Sequence, residues 1–299
     1  MKSTTFAVTA LCLIAAAPAL AAEEAAVDHS KMDHSQVARD EKGRALYGMK
    51  HEMDPEIVKV LRARDPDYGK MTDAELEFAM LRGHRGAVIS SMPNGGFEPR
   101  PEDDRFWAIA EEARFPIAVH IGSFVRGELA RKSSGWSSLA FVGTAALTKA
   151  GGQTLPVVCD ILFSGIFQRF PGLRIVLVES NIGWIPTLLE QSDDMFMRYR
   201  WYTGAVNEQK EMPSTIFFRN FWATFMVDTV GMDLRHRMNV DHLMWSTDYP
   251  HSGSDWPNSR VTIERVFRDV PKAEVKKMLH TNCKELYRLE HVPDRLPGR

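Results

Sequence analysis

The sequence predicts an α/β fold built on a parallel sheet, and three observations carry that prediction. Short apolar segments alternate with longer segments of helical periodicity along most of the chain. The short segments are apolar at nearly every position, the pattern of strands buried on both faces. Polar residues with chemical potential stand at their C-terminal ends, as in Ile117-Ala-Val-His120 and in Leu243-Met-Trp-Ser-Thr-Asp248. That edge is where parallel α/β enzymes present catalytic groups.

The elements follow in order. Asp54-Pro55 starts a helix with Ile57, Val58 and Leu61 on one face, and Asp65-Pro66 ends it. Thr72-Asp-Ala-Glu75 is a capping box for a second helix carrying Leu76, Ala79 and Met80. Five strands are expected at 86–91, 117–121, 174–179, 221–227 and 242–246. Between the first two, Pro101-Glu-Asp-Asp104 opens a helix with acids at its positive end and a stripe of Phe106, Ile109, Ala110 and Ala113. A variable region, 123–152, holds an apolar helix around 139–147, and 156–167 is expected to be a buried helix. Gly183-Trp-Ile-Pro186 opens a long helix to about Tyr199, and 256–267 and 272–289 supply the last two helices.

Bulk properties bound the partners. With 299 residues, 44% hydrophobic and 25% charged, the chain suffices for one large domain or two small ones. A net charge of −2 gives no basis for nucleic-acid or anionic-membrane binding, which leaves a small-molecule substrate. Lys2, the apolar run from Phe6 to Leu20 and the small-residue site Ala19-Leu20-Ala21 predict a signal peptide over 1–21, cleaved near Ala21. Its core is too short for a transmembrane anchor, so a periplasmic or secreted protein is expected. Residues 22–53 have the composition of a disordered leader. Within it, His29, Met32 and His34 lie in a repeated Asp-His-Ser, a donor set suited to copper. The main domain is expected over 54–290, with a tail at 291–299. Cys159 and Cys283 remain after cleavage; without a motif they make no disulfide framework.

Four motifs in order resemble the amidohydrolase-related family, which includes metal-dependent hydrolases and decarboxylases similar to aminocarboxymuconate-semialdehyde and γ-resorcylate decarboxylase. They are Ile117-Ala-Val-His120, Ser164-Gly-Ile-Phe-Gln-Arg-Phe-Pro-Gly-Leu173, Val178-Glu-Ser-Asn-Ile-Gly-Trp-Ile-Pro186 and Met244-Trp-Ser-Thr-Asp-Tyr-Pro-His251. The resemblance implies a (β/α)8 TIM barrel with a divalent metal, zinc or manganese, at its C-terminal mouth. By motif, His120 matches a metal-ligand histidine, and Asp248 matches an aspartate that touches metal or its water and acts as general base. Imidazole and carboxylate are the usual N/O ligands of a catalytic zinc. Without the resemblance, His120 would be read as a hydrogen-bonded core histidine. Glu179 stands where many members carry a histidine. It is expected as a proton donor with a burial-raised pKa, as a further ligand, or as a cap for the Gly183 turn. His251 and Trp256 are expected to line the substrate pocket, and Trp184 to pack.

One departure stands out. The family opens with a strand bearing His-x-His or Glu-x-His, and no such pair precedes Gly86 at the end of an apolar strand. The five expected strands correspond to the last five of eight. An incomplete barrel has raw edges. The N-terminal helices would close it, another copy would cover it as a homo-oligomer, or it would fold poorly. The leading expectation is a metal-dependent hydrolase or non-oxidative decarboxylase of a small aromatic or unsaturated acid, ester or lactone. The alternative is a non-catalytic exported homologue or a copper-binding module using the leader.

Overall fold

The computed structural model describes residues 72–121, 124, 148, 151–205, 209–251 and 253–294. The expected signal peptide and leader, with His29, Met32 and His34, lie outside the described residues. So do the helix expected from Asp54 and that around 139–147.

All five expected strands form, each shorter than its apolar run: β1 (Ala87–Ile89), β2 (Ile117–His120), β3 (Ile175–Val178), β4 (Phe221–Phe225) and β5 (Leu243–Trp245). They pair in sequence order, every pair parallel. Helical crossovers connect them, as a parallel ladder requires. The helices are α1 (Asp73–Leu81), α2 (Asp104–Glu112), α3 (Thr154–Leu162), α4 (Ile166–Arg169), α5 (Ile185–Thr203), α6 (Pro213–Asn220), α7 (Thr229–Asp233), α8 (Ser259–Val266), α9 (Lys272–Lys276) and α10 (Asn282–Leu286). A π-helical turn, Lys277–Thr281, joins the last two into one continuous path.

Local chemistry explains where the elements begin and stop. Thr72 and Glu75 form the expected capping box at α1. The single helix expected over 156–167 is two, because Gly165 takes a left-handed backbone (φ 76°) between α3 and α4. The long helix runs four residues beyond Tyr199 and stops where Gly204 turns left-handed (φ 78°). The helix expected from Trp256 starts only at Ser259, since Pro257 disfavours helical backbone in the residue before it. Two helices were not expected from the sequence, α6 and α7. Both are short; α6 begins with Pro213 and α7 is capped by Asp228, whose carboxylate accepts the Gly231 N–H.

Strand parity divides the core in two. Ala87, Ile89, Ile117, Val119, Ile175, Leu177, Phe221, Ala223, Phe225 and Leu243 face outward and pack against the helices. The inner face is smaller: Ala118, Val176 and Met244 are buried there with Leu286, flanked by Val88, Val178, Trp222, Cys283 and Tyr287. The helix expected from Asp54, one of those expected to close the sheet, lies outside the described residues. Leu76 of α1 joins the outer core, and the last helical path meets the inner face. That path starts outside, with Met278 in the outer cluster, and ends inside at Leu286. The Asn282 amide fixes it to the foot of β5 by donating to the carbonyls of Val240 (2.8 Å) and Leu243 (2.7 Å). Cys159 and Cys283 are free thiols.

Candidate active site at the C-terminal rim

His120 is the last residue of β2 and pairs in register with Val178, so Glu179 emerges beside it one step beyond β3. Asp248 lies three residues past β5. The structure brings these groups, far apart in sequence, into one hydrogen-bonded chain. His120 Nε2 is 2.8 Å from Glu179 Oε1. Glu179 is hydrogen-bonded in turn to Asp248, and Asp248 Oδ2 is 2.9 Å from His251 Nδ1. Three of the four side chains are largely buried, at 16% exposure for His120, 18% for Glu179 and 11% for Asp248; His251, at 46%, connects them to solvent.

The backbone is bent to present these groups. Glu179 (φ 57°), Asn181 (φ 53°) and Asp248 (φ 56°) are all left-handed without being glycine. Such conformations cost roughly 1–3 kcal/mol each and persist only where surrounding contacts impose them. Those contacts are visible. The Glu179 N–H donates to Thr224 Oγ1 (2.8 Å), and the Asp248 N–H to Ser246 Oγ (3.3 Å). Asp228 Oδ2 accepts the N–H groups of Ile182 and Gly183, both at 2.7 Å. The Gly183 turn is therefore held by Asp228, not by Glu179 as one expectation had it, and Glu179 is left facing His120. Gly231 permits the approach, since a Cβ there would lie 2.4 Å from Ile182 Cγ1. Trp184 packs against the core and donates its indole N–H to the Ser180 carbonyl (2.8 Å).

The protonation pattern follows from this geometry. His120 Nδ1–H donates to the Ile121 carbonyl (2.7 Å), which leaves Nε2 to meet Glu179. The hydrogen bond from Glu179 raises the His120 pKa above its ordinary value, against the opposing effect of burial. Burial pushes Glu179 upward, but its hydrogen bonds with His120 and Asp248 and the charges of His120 and His251 outweigh burial, and its pKa falls. The expectation of a burial-raised Glu179 is thus corrected. Asp248 carries the upward shift instead, to about 6, through burial first and then the adjacent Glu179 carboxylate. Two carboxylates at hydrogen-bonding range do not ionise together without penalty, and the penalty falls on Asp248, which releases its proton at a higher pH than Glu179.

His251 touches Asp248 directly, and its Nδ1 also accepts the Gly253 N–H (3.2 Å). Trp256 lies further along the same loop, where its ring meets Tyr249 at 5.2 Å. Sequence reasoning missed Thr224 and Asp228, which position Glu179. Thr224 is detectable as a hydroxyl in an otherwise apolar strand; Asp228 gives no signal short of the fold.

The residues suit a cation in kind but not in number. An imidazole anchored through Nδ1 on a carbonyl, with Nε2 on the Glu179 carboxylate and Asp248 beside Glu179, offers the kinds of N/O donor a divalent metal takes. Yet among the described residues no three His, Cys, Asp or Glu side chains are arranged to hold one ion. His120 Nε2 is engaged by Glu179 at 2.8 Å, so a cation would compete with that hydrogen bond for the same nitrogen.

Comparison with known proteins gives a consistent picture. The profile of the amidohydrolase family matches residues 8–289. The decarboxylase orsB of Emericella nidulans is 25% identical over 214 residues, 66% of this chain and 58% of the relative. The chain therefore spans less than two thirds of that relative's length. Among solved structures, an amidohydrolase from Mycobacterium avium subsp. paratuberculosis superposes with a TM-score of 0.58 at 20% identity, covering 72% of this chain and 54% of the other. The dihydroxybenzoic acid decarboxylase of Polaromonas sp. JS666, solved with manganese and 2-nitroresorcinol, gives 0.54 at 19%, covering 74% and 66%. The 5-carboxyvanillate decarboxylase of Sphingomonas paucimobilis gives 0.55 at 23%, covering 78% and 70%. At these identities the superpositions establish the barrel-type fold.

Proposed function

Since the chain belongs to the amidohydrolase family, we propose that it is a metal-dependent, non-oxidative decarboxylase of a small aromatic carboxylic acid. The observation that carries this reading is the buried chain His120–Glu179–Asp248, in which the pKa of Asp248 is raised to about 6 at the strand ends. The names of the relatives, decarboxylases of aromatic acids among them, support it. His120 and Asp248 would hold the divalent ion, manganese or zinc, which when bound supplies positive charge to polarise substrate oxygens.

The chain's own residues account for the proton. Loss of CO2 leaves the electrons of the broken C–C bond on a ring carbon, which must then be protonated. The proton would reach that carbon by way of the Asp248 carboxyl, whose Oδ2 is 2.9 Å from His251 Nδ1 and through it open to solvent. Glu179, its pKa lowered by its partners, holds His120 in orientation and raises the pKa of Asp248. His251 and Trp256 would contact the substrate from the loop after β5.

The chain ends frame this reading. Residues 1–21 are proposed as a signal peptide and 22–53 as a leader, with export to the periplasm or medium. The charged Lys2, the apolar run and the small residues at Ala19 and Ala21 support this, although the family match begins at residue 8, inside that segment. The catalytic domain is proposed over 54–290. No described helix is long and apolar enough to cross a membrane. β1 and β5 are each paired on one side only among the described residues, which supports assembly with a second copy.

The test is turnover. The manganese- or zinc-loaded protein is expected to release CO2 from hydroxylated benzoates, and Asp248→Asn to lower kcat by about 100- to 10,000-fold. Ring opening of aromatic lactones without CO2 release from any acid would replace decarboxylation by hydrolysis.

A further inference from the structure

The opposite rim of the sheet carries a second constellation, which the proposed chemistry does not use. Three arginines gather at the N-terminal ends of the strands. Arg114 closes the turn into β2 with a left-handed backbone (φ 50°), its N–H on the Glu111 carbonyl (2.9 Å). Arg174 immediately precedes β3, and its carbonyl accepts the Ile117 N–H (2.9 Å), which places the two turns side by side. Arg288 follows Tyr287, whose ring lies against Gly86 at the foot of β1, where a Cβ would be 3.0 Å from Tyr287 Cε1. Arg288 is also left-handed (φ 53°). Both left-handed residues follow a helix C-cap, with the Phe115 N–H on the Ala110 carbonyl (2.8 Å) and the Leu289 N–H on the Lys284 carbonyl (2.9 Å), so two helix ends deliver their arginines to this rim.

Beneath Arg174 lies an aromatic floor. Its guanidinium is 5.9 Å from the Trp222 ring, and Trp222 stacks on His242 at 3.8 Å and 22°. Burial pushes His242 toward its neutral form, and its Nδ1 is engaged by the Phe221 carbonyl (3.0 Å). Among the described residues none of the three arginines forms an ion pair, and the buried Nε of Arg288 has no hydrogen-bond partner. Burial lowers the Arg174 pKa, and the charges of Arg114 and Arg288 lower it further. Like charges held together without a counter-ion raise the free energy of the folded state, and a bound anion relieves that.

We propose that Arg114, Arg174 and Arg288 form a binding site for a phosphate-type oxyanion at the N-terminal rim, with Trp222 as its floor. Guanidinium groups bind such anions through paired N–H donors, and three on converging turns match a tetrahedral anion better than a planar carboxylate. The anion is either free or carried on a small organic molecule whose ring lies on Trp222.

Thermal melts of the full-length, EDTA-treated protein with inorganic phosphate, pyrophosphate and phenyl phosphate test this, with potassium chloride at matched ionic strength as reference. A saturable rise in Tm with millimolar or lower half-saturation is expected, weakened at least 10-fold in Arg174→Gln and in Arg288→Gln. Phenyl phosphate binding more tightly than phosphate assigns the organic source, and equal binding the free anion. Arg114 is exposed, so Arg114→Gln carries the test should either of the other variants fail to fold. Asp248→Asn should bind phosphate like the wild type, which separates this site from the one at the opposite rim. The absence of a saturable shift, or a shift unchanged in the arginine variants, overturns the proposal.

Discussion

Asp248 is the side chain on which the proposed chemistry turns. Its pKa of about 6 lies above the ordinary 3.8, so between those values the folded protein keeps a proton that the unfolded chain releases. Stability therefore falls as pH rises from about 4 through about 6. The raised His120 works in the same direction, since its stabilisation is present below its ordinary pKa and lost as pH climbs through the folded value. Glu179, lowered by its partners, contributes stability above its ordinary pKa that disappears on acidification. In the metal-free protein, Asp248→Asn should thus be more stable than wild type at pH 7, by on the order of 1–3 kcal/mol. The gain should vanish near pH 4. Urea unfolding at the two pH values checks this; equal stability at pH 7 would mean that Asp248 is not held against Glu179. His120 and Asp248 were legible as candidates because each ends an apolar run. The division of protons between Glu179 and Asp248 was not, because it depends on a contact between two strands that the sequence does not order in space.

At the scale of elements, placement matters more than existence. Asp228 caps α7 and at the same time holds the Ile182–Gly183 turn, so one carboxylate fixes the segment from which Glu179 projects. Charge-assisted hydrogen bonds of this kind are worth about 1.5–3 kcal/mol each, without simple additivity. Asp228→Ala should destabilise the protein by about 2–4 kcal/mol and lower kcat more than it changes KM, because Glu179 loses its support without leaving the site. Steady-state kinetics of a variant that still folds distinguish this from a purely structural loss, which would leave kcat per folded molecule unchanged. The last helix is a second case. Leu286, 2% exposed, lies on the inner face of the sheet. Leu286→Ala should cost about 2–5 kcal/mol, the range for deleting a buried leucine side chain; a loss under 0.5 kcal/mol would show that α10 does not cover that face. The strands were legible because parallel sheets bury both faces and read as apolar runs. The helices α6 and α7 were not, being too short for an apolar stripe to declare a period. The split between α3 and α4 turned on Gly165, which marks a break only once its backbone is seen to be left-handed.

The whole molecule combines a legible half and an illegible one. The order of the four motifs foretold the family and the parallel α/β architecture, because each motif joins a strand to the residue that follows it. What closes the sheet could not be foretold. Nothing in the amphipathic pattern of 272–289 says that the path passes from the outer core at Met278 to the inner face at Leu286. That passage needs the π-helical turn between α9 and α10 and the Asn282 bonds to β5. The metal centre likewise stands or falls on the assembled molecule. Only two of the donors proposed for it, His120 and Asp248, are identified, and three protein ligands are usual for catalytic zinc. The central claim is that these two residues share one cation, and metal content measures it most directly. Protein loaded with manganese or zinc and then exhaustively dialysed should retain about one equivalent as wild type, and almost none as His120→Ala or Asp248→Asn. A wild type that retains none, or a His120→Ala variant that retains as much as the wild type, would contradict the account.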